Sequence, residues 1–446
     1  MSHDILKFLT AGNVDDGKSS FLGRLLFDSN AVYEDHMREV ETLSKKFNQD
    51  FTDLSLLVDG LESEREQKIT IDAAYRYFTT DRRKFIIADS PGHEEYTRNM
   101  AVAASNSELA VILLDVTKPL QTQAVRHSYI AYLSGIRHFI VAVNKMDLVD
   151  YDEGKFEAIA KEYKRKTAKF LVNSQIHFVP ISAKLGGNVV NVSEKMEWYQ
   201  GRTILDLLET IDIAEDVNFV ATRLPIQNVV KDEKDDSNAR YLLGRLASGN
   251  LSIGQKVKIW PSLRTANITQ ILVAGVDSET AKTGNSVAIV LDQEVDVARG
   301  SVLTDESDHP SYDKEMSANL IWFKSTETSL SESSEYLMKL NHNLVNARIT
   351  KVKGVMNLDT LELIETDSAK QNDIIDATLK IATKLPFDYF ANSKYTGSFL
   401  LIDKVSNETI ACGLIKYVNK SQDKSGFFSK LFKLSKSDSS YDSSGL

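Results

Sequence analysis

GNVDDGKS, residues 12–19, lies between an apolar run, Ile5–Ala11, and a helix-forming run, Lys18–Phe27. The pattern GxxxxGK[ST] in that setting predicts a strand, a phosphate-cradling loop and a helix. Gly12 and Gly17 permit the tight turn, so that the backbone of Asn13, Val14, Asp15 and Asp16 aims successive N–H groups at one anion. Lys18 is expected to reach the outer phosphates of a nucleoside triphosphate, and the Ser19 hydroxyl to coordinate Mg2+. Ser20 continues the first turn of a helix whose positive end points at the same anion.

Reading outward, four more runs resemble the first: Lys84–Asp89, Leu109–Asp115, His138–Asn144 and Ile176–Ile181. Each is short, rich in Val, Ile, Leu or Phe, and separated from the next by a helix-like segment. That alternation predicts an α/β unit with a parallel-type sheet and flanking helices, its ligand beyond the carboxyl ends of the strands. Three further motifs stand at such ends. In DSPGH, Asp89 is placed to hold Mg2+ through water and Gly92 to donate its N–H to the γ-phosphate; Ser90, Pro91 and His93 complete the loop. In NKMD, residues 144–147, the Asp147 carboxylate accepts from the guanine N1–H and exocyclic amine, a donor pair that adenine lacks. Asn144 steadies the base edge, the Lys145 stem lies over the ring and Met146 sits between them. In Ser182, Ala183 and Lys184, backbone N–H groups can receive the guanine carbonyl. The expected ligand is GTP with Mg2+, not ATP.

From about residue 216 the pattern changes to short alternating strands between Gly, Asp, Asn and Ser turns, with the acidic turn KDEKDD at 231–236. Val217–Val230, Ala239–Ala247, Lys256–Trp260, Ile268–Val273 and Ser286–Val290 read as one β-barrel. Ser317–Phe323, Ala347–Gly354, Thr360–Glu365, Asp376–Ile381, Gly397–Asp403 and Thr409–Ile415 read as a second. The expected division is 1–215 for the GTP-binding unit, 216–308 and 309–420 for the two barrels, and 421–446 for a disordered tail. A net charge of −10 over 446 residues argues against a chain built mainly to grip nucleic acid phosphates. The one cysteine, Cys412, precludes an intrachain disulfide and fits a reducing, cytoplasmic compartment. MSHDILKFLTAGN lacks the marks of a signal peptide, and no run is long and apolar enough for a membrane span.

The four motifs in this order resemble the GTPase superfamily and, within it, the translation-factor class. The resemblance implies a switch segment, EREQKITID at 64–72, in which Thr70 closes on Mg2+ and the γ-phosphate and Ile69 forms an apolar gate with Val14. Lys68 stands where that class usually has glycine. It also implies that His93 orients the attacking water, making His93, Lys18 and Thr70 the expected catalytic residues. Over residues 4–418, DDGKS and segments such as NVSEKMEWYQGRTILDLLE (191–209) and PFDYFANSKYTGSFLLID (386–403) are similar to the large-subunit family of two-subunit sulfate adenylyltransferases. That resemblance implies a smaller partner subunit that binds ATP and sulfate and forms adenosine 5′-phosphosulfate, driven by GTP hydrolysis on this chain. No HxGH or SGGxDS-type adenylylating motif occurs here, as such a division of labour requires. A translational GTPase carrying tRNA is the alternative; no basic and aromatic stripe in the barrels favours it.

Overall fold

The computed structural model describes residues 5–31, 54–57, 74–93, 97–213, 221–231, 240–330, 334–358, 360 and 362–417. The switch segment with Lys68, Ile69 and Thr70, the acidic turn beyond Lys231 and the tail 421–446 lie outside them.

The N-terminal sheet contains β1 (Ile5–Ala11), β2 (Ala74–Thr79), β3 (Lys84–Asp89), β4 (Leu109–Asp115), β5 (His138–Asn144) and β6 (Gln175–Pro180), in the order β2-β3-β1-β4-β5-β6. All neighbours run parallel except β2 against β3. Every side chain of β4 and β5 is buried, because a central parallel strand is covered on both faces and reads as a continuous apolar run. The two-residue repeat divides them: Ala110, Ile112 and Leu114 enter one core, Leu109, Val111 and Leu113 the other. Helices α2 (Thr97–Ser105), α3 (Thr122–Leu133) and α4 (Glu153–Thr167) supply Met100, Ile130 and Tyr163 to the first core. Helices α1 (Lys18–Asp28) and α5 (Ile204–Thr210) supply Phe21, Leu25 and Leu207 to the second.

Strand β2 is a difference from the expected parallel arrangement. Its hairpin to β3 turns at 80–83, and as an edge strand it leaves Tyr77 71% exposed. An edge strand buries only part of one face, so AYRYFT carries no long apolar run to announce it.

The chain then forms two closed antiparallel barrels. In the first, Leu224–Lys231 pairs with Arg240–Arg245, and Lys256–Trp260 closes the circle against Thr265–Val273. In the second, Glu335–Leu340 closes against Asn343–Met356. Alternate residues fill each interior: Leu224, Ile226 and Ile259 in one, Leu320, Trp322 and Leu401 in the other. The second barrel packs on the N-terminal unit, where Ile321 and Ile374 join the core containing Tyr129 of α3, and the Lys169 Nζ, just beyond α4, donates to the Thr360 carbonyl at 3.0 Å.

The two barrels are joined through a buried cation. Arg223, 2% exposed, donates from Nε and Nη2 to the two Asp388 oxygens at 2.8 and 2.9 Å, and also pairs with Asp308. Removing one partner strands the other charge in the interior. Arg223→Met is therefore expected to cost about 3–5 kcal/mol, with Arg223→Met/Asp388→Leu recovering much of it. Urea unfolding of both variants checks this; equal losses in the two would contradict it.

A second buried group gives a pH dependence. His127 on α3 is fully buried, and burial, with help from Lys18 and Arg126, brings its imidazole down to about 3 from 6.5. The unfolded chain takes up this proton below pH 6.5 and the native chain does not. Stability from this site is thus complete above pH 6.5 and falls as pH drops, by about 1.4 kcal/mol per unit between the two values. His127→Gln should flatten that acid limb in urea titrations from pH 7.5 to 5; curves of equal slope would show that another group carries it.

Candidate functional site

Four loops meet at the carboxyl ends of β1, β3, β5 and β6. The loop after β1 turns through Asp15 at φ 67° and Gly17 at φ 92°. At Gly17 a side chain is excluded twice over, since its Cβ would stand 2.4 Å from Asn144 Nδ2. The Asp16 carboxylate accepts the Asn13 N–H at 2.7 Å and so braces the loop from within. Burial pushes the Asp16 carboxyl up, against the lowering effects of that bond and of Lys18. Helix α1 begins at Lys18 with no side chain capping its first turn; Ser19 and Ser20 are half-buried there.

Lys18 is the strongest electrostatic feature. Its ammonium is buried and donates to two neutral carbonyls, Gly12 O at 3.3 Å and Asn13 O at 2.9 Å. Burial pulls it below the usual lysine range, while Asp89, Asp16 and Asp15 oppose that shift. A buried cation held by neutral oxygens gains by meeting an anion. The loop after β3 reaches the same point. Ser90 donates to the Thr10 carbonyl at 2.5 Å, and the Asp89 carboxylate receives the Thr10 hydroxyl at 2.9 Å. A Cβ on Gly92 would meet Lys18 Nζ and, beyond that movable tip, lie 2.9 Å from the backbone carbonyl carbon of Asn13 and 3.0 Å from Gly12 O, so only glycine lets this backbone pass. Pro91 is buried before it and His93 half-buried after it. The Ser19 hydroxyl and Asp89 carboxylate at this end are the hard oxygen donors that suit Mg2+.

Asn144 ties the loop after β1 to the loop after β6. Its Nδ2 donates to Asp16 O at 2.9 Å, and its Oδ1 accepts the Ala183 N–H at 3.0 Å. Lys145 takes the left-handed conformation, φ 67°, and its Nζ donates to Asp115 Oδ2 at 2.8 Å. Burial would raise the Asp115 carboxyl, but Lys145 and two Thr117 donors outweigh it and hold it below the usual carboxylate range. Met146 is buried, its N–H donating to Ile181 O at 3.2 Å. The Ser182 hydroxyl donates to Asp147 Oδ1 at 2.6 Å and accepts the Leu185 N–H at 3.2 Å. The Ala183 N–H is already engaged by Asn144.

The described motif residues thus converge in space, although they span 172 positions between Gly12 and Lys184. Two participants were absent from the motif reading. Asp115 ends an unbroken apolar strand, and a carboxylate at that point in an α/β sheet was a usable signal. Arg24 lies inside α1 and donates to the Ala183 and Lys184 carbonyls at 3.2 and 2.6 Å; nothing in GRLL marks it. No helix among the described residues is long and apolar enough to cross a membrane.

Residues 3–215 match the Elongation factor Tu GTP binding domain family, and residues 315–416 the GTP-eEF1A C-terminal domain-like family. The chain is 44% identical to a protein of Psychromonas ingrahamii named sulfate adenylyltransferase subunit 1, over 92% of this chain and 87% of the relative. Proteins of the same name from Cellvibrio japonicus and Aliarcobacter butzleri are 42% and 40% identical, over 92% and 94% of this chain and 86% and 89% of theirs. In fold it is similar to the S. cerevisiae Ski7 GTPase-like domain, solved with GDP and inorganic phosphate: TM-score 0.50, 17% identity, 93% of this chain and 98% of that one.

Proposed function

Because this chain belongs to the sulfate adenylyltransferase subunit 1 family, we propose that it hydrolyses GTP to drive formation of adenosine 5′-phosphosulfate and diphosphate from ATP and sulfate on a smaller catalytic partner subunit. The anhydride between phosphate and sulfate is a high-energy bond, so the partner's reaction runs uphill and needs a coupled source of free energy. We assign residues 1–215 to GTP binding and 216–308 and 309–420 to the two barrels.

In this reading Lys18 exchanges the Gly12 and Asn13 carbonyls for β- and γ-phosphate oxygens, and the N–H groups of Asp15 through Ser20 complete the cradle, those of Asn13 and Val14 being held within the loop by Asp16 and Asn13. Ser19, Asp89 and Thr70 would hold Mg2+, which, when bound, supplies charge neutralisation between the two outer phosphates. Gly92 donates its N–H to the γ-phosphate, and His93 orients a water toward it, with Val14 and Ile69 as the apolar gate. At the other end Asp147 accepts from the guanine N1–H and amine, the Lys145 stem covers the ring, and the loop Ser182–Lys184 receives the carbonyl. Loss of the γ-phosphate releases the Gly92 contact and frees the loop leading into α2, a local event with a distant readout.

The observation that carries the proposal is the 40–44% identity to sulfate adenylyltransferase subunit 1 proteins over most of both chains; the Asn144 bridge between Asp16 O and the Ala183 N–H supports its GTP-binding part. Reconstitution with the partner subunit tests it by diphosphate release from ATP and sulfate. GTP should stimulate that release and be consumed with it; release indifferent to GTP would refute the coupling.

A further inference from the structure

We infer that Arg24 is a positioning residue for guanine recognition: from the middle of α1 it fixes the peptide planes of the loop that receives the base carbonyl. The inference deepens the proposed function and rests on its reading of residues 182–184.

The Arg24 guanidinium donates through Nε to Ala183 O and through Nη2 to Lys184 O, while its Nη1 is held by Asp28 at 3.3 Å. In a trans peptide the C=O of one residue and the N–H of the next point in opposite directions. Holding the carbonyls of Ala183 and Lys184 toward α1 therefore turns the N–H groups of Lys184 and Leu185 away from it. The Leu185 N–H follows that direction and reaches Ser182 Oγ, which in turn donates to Asp147. The side facing away from α1 is thus the side where the base-reading carboxylate stands. A cationic donor on a carbonyl also polarises the peptide and strengthens the donor on its far side. The six residue steps from Lys18 to Arg24 span about 9 Å of rigid helix, so one element would hold both the phosphate lysine and the base loop.

Recognition at the two purine edges separates this role from general support. The loop reads the 6-carbonyl, which guanosine and inosine triphosphates share and 2-aminopurine riboside triphosphate lacks. Asp147 reads the 2-amino group, which guanosine and 2-aminopurine share and inosine lacks, and the N1–H, which 2-aminopurine lacks; that second loss is the same in every variant and cancels when preferences are compared. Affinities of the three nucleotides are measured by calorimetry on the full chain, for wild type, Arg24→Met and Arg24→Lys. Arg24→Met should lower GTP affinity, and the preference for GTP over the 2-aminopurine analogue, by about tenfold, the loss expected for charge-assisted hydrogen bonds. The preference for GTP over inosine triphosphate should stay unchanged, and Arg24→Lys should recover part of the loss. Both preferences unchanged in Arg24→Met would overturn the inference. Both collapsing together would do so too, since that describes a loop unfolded as a whole. A wild-type chain that does not prefer GTP over the 2-aminopurine analogue removes the proposed function itself, before any variant is compared.

Discussion

Asp147→Asn is expected to convert the chain from a GTP-selective protein into one that prefers xanthosine triphosphate. The Asp147 carboxylate accepts one hydrogen bond from Ser182 at 2.6 Å, which orients the group without using its whole acceptor capacity. An asparagine keeps that bond through its carbonyl oxygen and presents an amide N–H where the second oxygen stood. Guanine then meets donor against donor, whereas xanthine offers a carbonyl at the same position. Setting donor against donor costs more than a lost contact, so the preference should change on the order of a thousandfold or more. Competition binding with the two triphosphates reads it directly. Discrimination equal to wild type would mean that Asp147 does not read the base.

The second large effect belongs to His93→Ala. Gly92 passes so close to Lys18 that a side chain there would collide with its ammonium, which sets the next residue beside the place where the terminal phosphate is proposed to sit. Loss of a water-orienting group lowers turnover by about a hundredfold or more. Binding should change little, because the phosphate and base contacts assigned to Lys18, Asp89, Asn144 and Asp147 are untouched. Single-turnover phosphate release at saturating GTP, in the presence of the partner and sulfate, separates the two effects. Wild-type turnover in the variant would leave His93 without a catalytic part, and a large loss of affinity would move it to the binding contacts.

Much of the N-terminal unit could be read from the chain because its code is local. A strand covered on both faces must be apolar throughout, so LAVILLD and HFIVAVN announce themselves, and β1, β3, β4 and β5 have the ends expected from sequence. The last strand shifts by one residue, to Gln175–Pro180. In the barrels the same reading recovers centres and loses ends. Asp376–Ile381 falls in the first part of Ile374–Phe387, whose later part carries the exposed Thr383 and Lys384. Glu335–Leu340, with Lys339 facing water, passed unnoticed between polar neighbours. Half-exposed strands dilute the apolar signal because only alternate residues need to be buried.

By itself the sequence determined the family and the fold of the nucleotide-binding unit, and it nominated the groups of the proposed chemistry: glycines where the backbone must turn or pass, a lysine and a serine for phosphate and metal, a carboxylate for the base edge. These follow from residue type and short spacing, which is all that a phosphate loop or a base-reading motif needs. Only the tertiary structure decided which carbonyl Asn144 holds, that Arg24 reaches the base loop from 159 positions away, that β2 pairs antiparallel at the edge, and that Arg223 joins the two barrels. Those contacts link residues distant along the chain, and their free energy comes from burying charge and polar groups in a particular packed arrangement. No short stretch of sequence carries that information, because the partner that satisfies each group is supplied by the fold.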